Sequence, residues 1–230
     1  MRHLNRRHCH CIAAGATALW LGICPTWVVA QNVQAAAKAP TDKRTPAVIL
    51  VLGDSLSAEY GIARGTGWVA LLEQRLAQEK LAATVVNASV SGETTSGGRS
   101  RLPALLAQHK PTHVVIELGG NDALRGLPLQ NTADNLGWMT QAAQQSGARV
   151  LLLGMQVPPN YGSDYAKRFA DTFEQVAKQH KAAVVPFFLK GVADGPDPTK
   201  LFQPDRIHPK AEAHPIMLAN VWPELRKLLR

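Results

Sequence analysis

Ala47-Val48-Ile49-Leu50-Val51-Leu52-Gly53-Asp54-Ser55-Leu56-Ser57 decides how this chain of 230 residues is read. Six apolar residues, three of them β-branched, predict a strand, and Gly53 opens the turn that ends it. A serine at such a junction stands at the edge of a sheet with its hydroxyl free, where an α/β enzyme can use it as a nucleophile. A turn or capping role is the plain alternative, since serines end many strands. A nucleophile also needs a base, an acid to orient that base and donors for an oxyanion, so the reading depends on the rest of the chain.

Outward from Ala47, short β-branched runs alternate with longer amphipathic ones. Strands are expected at Ala47 to Leu52, Thr84 to Asn87, His113 to Leu118, Arg149 to Met155 and Ala183 to Pro186. Helical spacing of apolar residues runs over Trp68 to Ala77, Arg101 to His109, Thr132 to Ser146 and Tyr165 to His180, with Gly147 placed to end the third. Pro209 to Leu229 reads as a closing helix that Pro215 and Pro223 should break. The alternation predicts a three-layer α/β/α domain, with a parallel sheet covered by helices on both faces.

Residues 1–30 have the shape of a signal peptide: Arg2, Arg6 and Arg7 precede an uncharged, mostly apolar run that ends in Val28-Val29-Ala30. Cleavage is expected after Ala30, with 31–45 as a spacer and 46–230 as a catalytic domain. An uncleaved anchor is the alternative, and Pro25 interrupts the run it would need. The three cysteines, Cys9, Cys11 and Cys24, all fall in the leader, so the mature domain has no disulfide or thiolate metal site. The formal charge is +8, partly from the leader arginines, and no basic run is interleaved with aromatics. Ordinary solvated surface explains that excess, and nucleic-acid binding is not expected. A periplasmic or secreted enzyme, with no stable membrane association after cleavage, fits these features.

In an open α/β sheet, ligands bind beyond the carboxyl ends of the strands. Three successive strand ends carry Gly53-Asp54-Ser55, then Asn87-Ala88-Ser89-Val90-Ser91-Gly92-Glu93-Thr94-Thr95, then Gly119-Gly120-Asn121-Asp122. Each has a structural explanation in tight turns or helix caps. Together they offer a hydroxyl, an unencumbered backbone N–H at Gly92 and a neutral amide at Asn121, the parts an acyl-transfer site requires. Near the end of the chain, Asp205-Arg206-Ile207-His208-Pro209 places an aspartate three residues before a histidine. Asp205 can fix the imidazole tautomer while the other ring nitrogen takes the serine proton; a capping aspartate beside a loop histidine is the alternative. His109 and His180 end helices, His113 opens a strand, and His214 lies within the last helical stretch, none with comparable company.

These four stretches resemble the signatures of the GDSL or SGNH serine hydrolases, which centre on Ser, Gly, Asn and His. Gly53-Asp54-Ser55-Leu56, Gly92, Gly119-Gly120-Asn121-Asp122 and Asp205 with His208 stand in the family's order. Further similarity at Arg101-Leu102-Pro103-Ala104-Leu105-Leu106 and Pro186-Phe187-Phe188 is to bacterial exported enzymes described as thioesterase I, lysophospholipase and arylesterase. The resemblance implies a five-stranded parallel sheet in flavodoxin-like order. It implies Ser55 as nucleophile, His208 as general base and acid, and Asp205 as its partner. The backbone N–H groups of Ser55 and Gly92 and the Asn121 side chain would form the oxyanion hole, while Asp54 and Asp122 would hold loops in shape.

The resemblance also implies a substrate-binding loop of Ala123, Leu124, Arg125, Gly126 and Leu127, in which Ala123 replaces a usual glycine and Leu127 a usual aromatic. Pro158, in the stretch Gln156 to Gly162, is read as pocket wall, although loop packing explains it equally well. The expected substrate is a small acyl ester, aryl or fatty, extending to thioesters or lysophospholipids, with no metal and no cofactor. The alternatives are a carbohydrate O-acetylesterase and a non-catalytic lipid-binding protein. No Gly-x-Ser-x-Gly elbow and no phosphate-cradling Gly-Lys-Ser/Thr loop is present.

Overall fold

Strand β1, Ala47–Gly53, is an interior strand of the sheet, and Ile49 to Leu52 have no exposed surface. Burial on both faces explains why its sequence is continuously apolar instead of alternating. The computed structural model describes residues 46–230; the expected leader and spacer lie outside the described residues. The other strands are β2 (Ala83–Asn87), β3 (His113–Glu117), β4 (Arg149–Leu153) and β5 (Ala183–Val185). All pair in parallel, in the order β2-β1-β3-β4-β5. Chain order reverses between β1 and β3, so the crevice beyond their carboxyl ends is where a ligand is expected. Ser55 follows the first of these strands and Asn121 the second.

Among the described residues six α-helices complete the three layers: α1 (Trp68–Gln78), α2 (Thr95–His109), α3 (Gly120–Leu124), α4 (Leu129–Gln145), α5 (Ser163–His180) and α6 (His214–Leu228). α4 packs against α2 and α5, and α1 packs against α6. Among the described residues no helix is long and apolar enough to cross a membrane.

Several boundaries differ from those expected. α2 begins at Thr95, not Arg101, because Thr94 caps it by accepting from Gly97 N at 3.3 Å. Its first turns carry no apolar stripe: Gly98 passes so close to the sheet that a Cβ there would lie 2.4 Å from Leu118 Cδ1. α3 was hidden in a glycine-rich stretch that reads as loop. The prolines do not break α6; Pro215 occupies its first turn, where the missing N–H costs nothing, and Pro223 lies within it. α1 starts without a side-chain cap from its own N-terminal residue. His214 supplies one instead, accepting from Trp68 N at 3.0 Å through Nδ1. Burial lowers the pKa of His214, keeping it neutral and able to accept.

Candidate active site

The chain leaves β1 through Gly53 and turns at once. Leu56 N donates to Asp54 Oδ1 at 3.0 Å, and Ala58 N to Asp54 O at 3.0 Å, which closes the turn and leaves Ser55 half-buried at its outer face. The β2 loop is drawn alongside, since Ala88 N donates to Val51 O at 2.9 Å and Val90 N to Gly53 O at 3.0 Å. These bonds bring Gly92 to the Ser55 turn. Gly92 has φ +78°, a conformation that disfavours any side chain.

The Asp205–His208 segment is a tight loop within a two-stranded corner. Phe202 bridges Pro209 in antiparallel fashion, and Gln203 N donates to His208 O at 2.8 Å. Arg206 adopts φ +59° to make the turn. Gln203 then ties this corner to the nucleophile's loop through Nε2, which donates to Tyr60 O at 2.9 Å and Pro209 O at 3.1 Å. The loop is thereby fixed opposite Ser55, although the two lie 153 residues apart.

His208 Nε2 is 3.0 Å from Ser55 Oγ, and His208 Nδ1 is 2.7 Å from Asp205 Oδ2. With Nδ1–H donated to the carboxylate, Nε2 carries the lone pair and is placed to accept a proton from the serine. The second oxygen, Asp205 Oδ1, accepts from Ile207 N at 2.9 Å and His208 N at 3.0 Å. The His208 ring bond, followed by these two N–H groups, holds the Asp205 carboxyl down to about 2. Tyr60 lies over the His208 ring, with centroids 4.2 Å apart and planes tilted by 36°. This contact gives the imidazole a second support. It was not legible in the sequence, because nothing local marks an aromatic five residues after a serine.

Asn121, at the start of α3, donates from Nδ2 to Asp54 Oδ2 at 2.9 Å. That bond uses one amide hydrogen and leaves the other. Among the described residues the backbone N–H groups of Ser55 and Gly92 have no acceptor. Two free backbone donors and half of a side-chain amide beside a serine hydroxyl are suited to receiving an oxyanion.

Asp54 and Asp122 hold loops in shape, as expected. Asp122 is buried and accepts from Thr95 N at 2.9 Å, from Thr95 Oγ1 and from Thr132 Oγ1 at 3.3 Å. It thereby joins α3 to the starts of α2 and α4. Asp122→Ala strands buried donors, and a loss on the order of 3 kcal/mol is expected. Urea denaturation measures it; an unchanged midpoint would show that the junction carries no such load.

The expected substrate-binding residues are arranged unequally. Ala123 is 2% exposed and its methyl faces the core, so it corrects the expectation of a side chain lining the site. Leu124 is exposed. Arg125 Nη2 donates to Gly92 O at 2.8 Å, tying this loop to the Gly92 loop. Gly126 and Leu127, with Pro128, Tyr165, Arg168 and Thr172, border a groove of about 550 Å³ between α4 and α5. None of Ser55, Gly92, Asn121 or His208 borders that groove. Pro158 is exposed, and its carbonyl accepts from Tyr161 N at 3.1 Å. Among the described residues no cluster of His, Cys, Asp and Glu could hold a metal ion.

A parallel α/β sheet with a Ser–His–Asp relay at its switch point defines a serine hydrolase. The chain belongs to the GDSL-like lipase/acylhydrolase family, which it matches over residues 51–216. It is 51% identical over 189 residues to esterase TesA of Pseudomonas aeruginosa, covering 82% of this chain and 92% of that protein. It is 40% identical to thioesterase 1/protease 1/lysophospholipase L1 of Escherichia coli K12, covering 79% and 84% respectively. The crystal structure of a psychrotrophic esterase, EstA from Pseudoalteromonas sp., inhibited by monoethylphosphonate, superposes with a TM-score of 0.73 at 40% identity. It covers 79% of this chain and 98% of that one.

Proposed function

We propose that this protein hydrolyses carboxylic esters of aryl alcohols or fatty acids, and acyl thioesters or lysophospholipids of similar shape, through an acyl-enzyme on Ser55. The observation that carries the reading is the continuous bond sequence from Ser55 Oγ to His208 to Asp205, beside two N–H groups without acceptors.

Ser55 Oγ attacks the ester carbonyl as its proton passes to His208 Nε2. The carbonyl oxygen becomes an oxyanion held by Ser55 N, Gly92 N and Asn121 Nδ2. Collapse breaks the bond to the leaving group, which takes the proton from His208. Water then gives a proton to His208 and attacks the acyl carbon. The second intermediate releases the acid and returns the proton to Ser55. Asp205 stays ionised throughout, fixing the ring and opposing the charge that His208 gains.

The leader shape at residues 1–30 supports action in the periplasm or outside the cell. The purified protein is expected to turn over p-nitrophenyl butyrate faster than it deacetylates acetylated sugars. A preference for the sugars would make it a carbohydrate O-acetylesterase, and no hydrolysis of any ester would leave a binding protein.

The pH dependence has a defined sign. Protonating His208 fills the lone pair that must accept the serine proton, so kcat/KM falls as acid is added and levels off on the alkaline side. Asp205, held down to about 2, remains an anion across that whole limb. Asp205→Asn is expected to lower the alkaline plateau severely by losing the tautomer control. A plateau equal to the wild type's would remove Asp205 from the relay.

A further inference from the structure

Behind the Ser55 turn lies a buried acid that the relay does not use. Glu117, the last residue of β3, has no exposed surface, and its register partner on β1 is Gly53. Its Oε2 accepts from Ser57 Oγ at 2.7 Å and from Asp54 N at 3.3 Å. Ser57 Oγ in turn accepts from Trp68 Nε1 at 3.0 Å. The packing leaves no room at Gly53, where a Cβ would lie 2.7 Å from Ser57 Oγ and 2.8 Å from Glu117 Oε2. Oε1 is buried and meets no donor. The Asp54 carboxyl is buried beside Glu117, its own backbone N–H being the group bonded to Oε2, and among the described residues no cation pairs with either acid. Two adjacent carboxyls kept from water and from any cation do not both ionise, and one of them keeps its proton.

We infer that Glu117 is a protonated positioning residue: it donates to Asp54, whose carboxylate then holds Asn121 with its free amide hydrogen toward the oxyanion, and through Ser57 and Asp54 N it fixes the nucleophile's turn. The inference rests on the ester-hydrolase reading and extends it to a residue that touches no substrate. Burial and the Asp54 charge beside it push the Glu117 carboxyl well above the usual carboxylate range. Burial also raises Asp54, to about 6, while the Leu56 N–H and the Asn121 amide hold it from rising further. Asp54 has the Leu56 N–H and the Asn121 amide to hold a charge while Glu117 Oε1 has no donor, so the proton belongs on Glu117 and the charge on Asp54. The titratable groups facing this pair are the two acids themselves and, across the site, His208.

Glu117→Gln keeps a neutral donor and an acceptor in the same shape, whereas Glu117→Leu removes both. Because Leu misplaces the Asn121 donor without deleting it, kcat should fall by about 10- to 100-fold, less than loss of the donor itself, with KM changed by less than about threefold. Glu117→Gln should retain kcat within about threefold, with an acid limb superimposed on that of the wild type. If Glu117 were an anion, its neutral replacement would move that limb to lower pH and overturn the inference, as would full activity in folded Glu117→Leu. Infrared spectroscopy supplies a readout that needs neither turnover nor the Leu variant. At about pH 8, where a free glutamic acid is ionised, the wild type should show a protonated-carboxyl C=O stretch that Glu117→Gln lacks. A difference spectrum showing only carboxylate bands would overturn the inference even in an active esterase, and the band would persist in a protein that hydrolysed no ester.

Discussion

Ser55→Ala is expected to lower kcat on a p-nitrophenyl ester by about 10⁶-fold while leaving KM within a few-fold of the wild type. Removing Oγ removes the atom that forms the new bond, so no acyl-enzyme can accumulate. What remains is rate enhancement from binding and from the oxyanion donors, since the Ser55 and Gly92 N–H groups and Asn121 are untouched. Ala fits the turn, because the bonds that close it run through Asp54, Leu56 and Ala58 and do not use the Ser55 hydroxyl. Stability should therefore be unchanged, and a thermal melt checks it. Steady-state turnover within tenfold of the wild type would place the nucleophile elsewhere.

Asn121→Ala carries the second large effect, a loss of about 10² to 10³ in kcat, equivalent to about 3 to 4 kcal/mol of transition-state stabilisation. The amide is polarised by its bond to Asp54, and its second hydrogen supplies the only side-chain donor among the three proposed for the oxyanion. A charged donor would compete for the proton; the neutral amide does not. KM should move little, because the ground-state carbonyl carries little charge for the amide to meet. A large rise in KM with kcat preserved would mean that Asn121 binds substrate without stabilising the intermediate.

The candidate constellation was legible in the sequence because Ser55 and Asn121 follow strands with unmistakable apolar runs, while Asp205 and His208, which follow no strand, show only in their spacing. Ile49, Leu50 and Val51, and likewise Val114, Val115 and Ile116, are buried on both faces and can hardly be read as anything else. The segments that escaped notice lack such patterning. The start of α2 is built from Thr95, Ser96, Gly97 and Gly98, where close approach to Leu118 replaces an apolar stripe. Contacts such as Tyr60 on His208 and Gln203 on Tyr60 join residues far apart in the chain, and no local rule predicts them. Glu117 did leave a signal, an acid inside an otherwise apolar strand, which is costly unless the acid is paired or neutral. Ala123 shows the limit of transferring roles along a loop: a one-turn helix packs its methyl in the core while the next residue, Leu124, is exposed.

The central claim is that acyl transfer passes through Ser55. Rapid acid quench of the wild type mixed with excess p-nitrophenyl ester, followed by proteolysis and mass spectrometry, tests it directly. The account predicts a burst of nitrophenol and a peptide carrying one acyl group at Ser55, absent from Ser55→Ala. An acyl group found on another residue, or a burst that survives in Ser55→Ala, would contradict it.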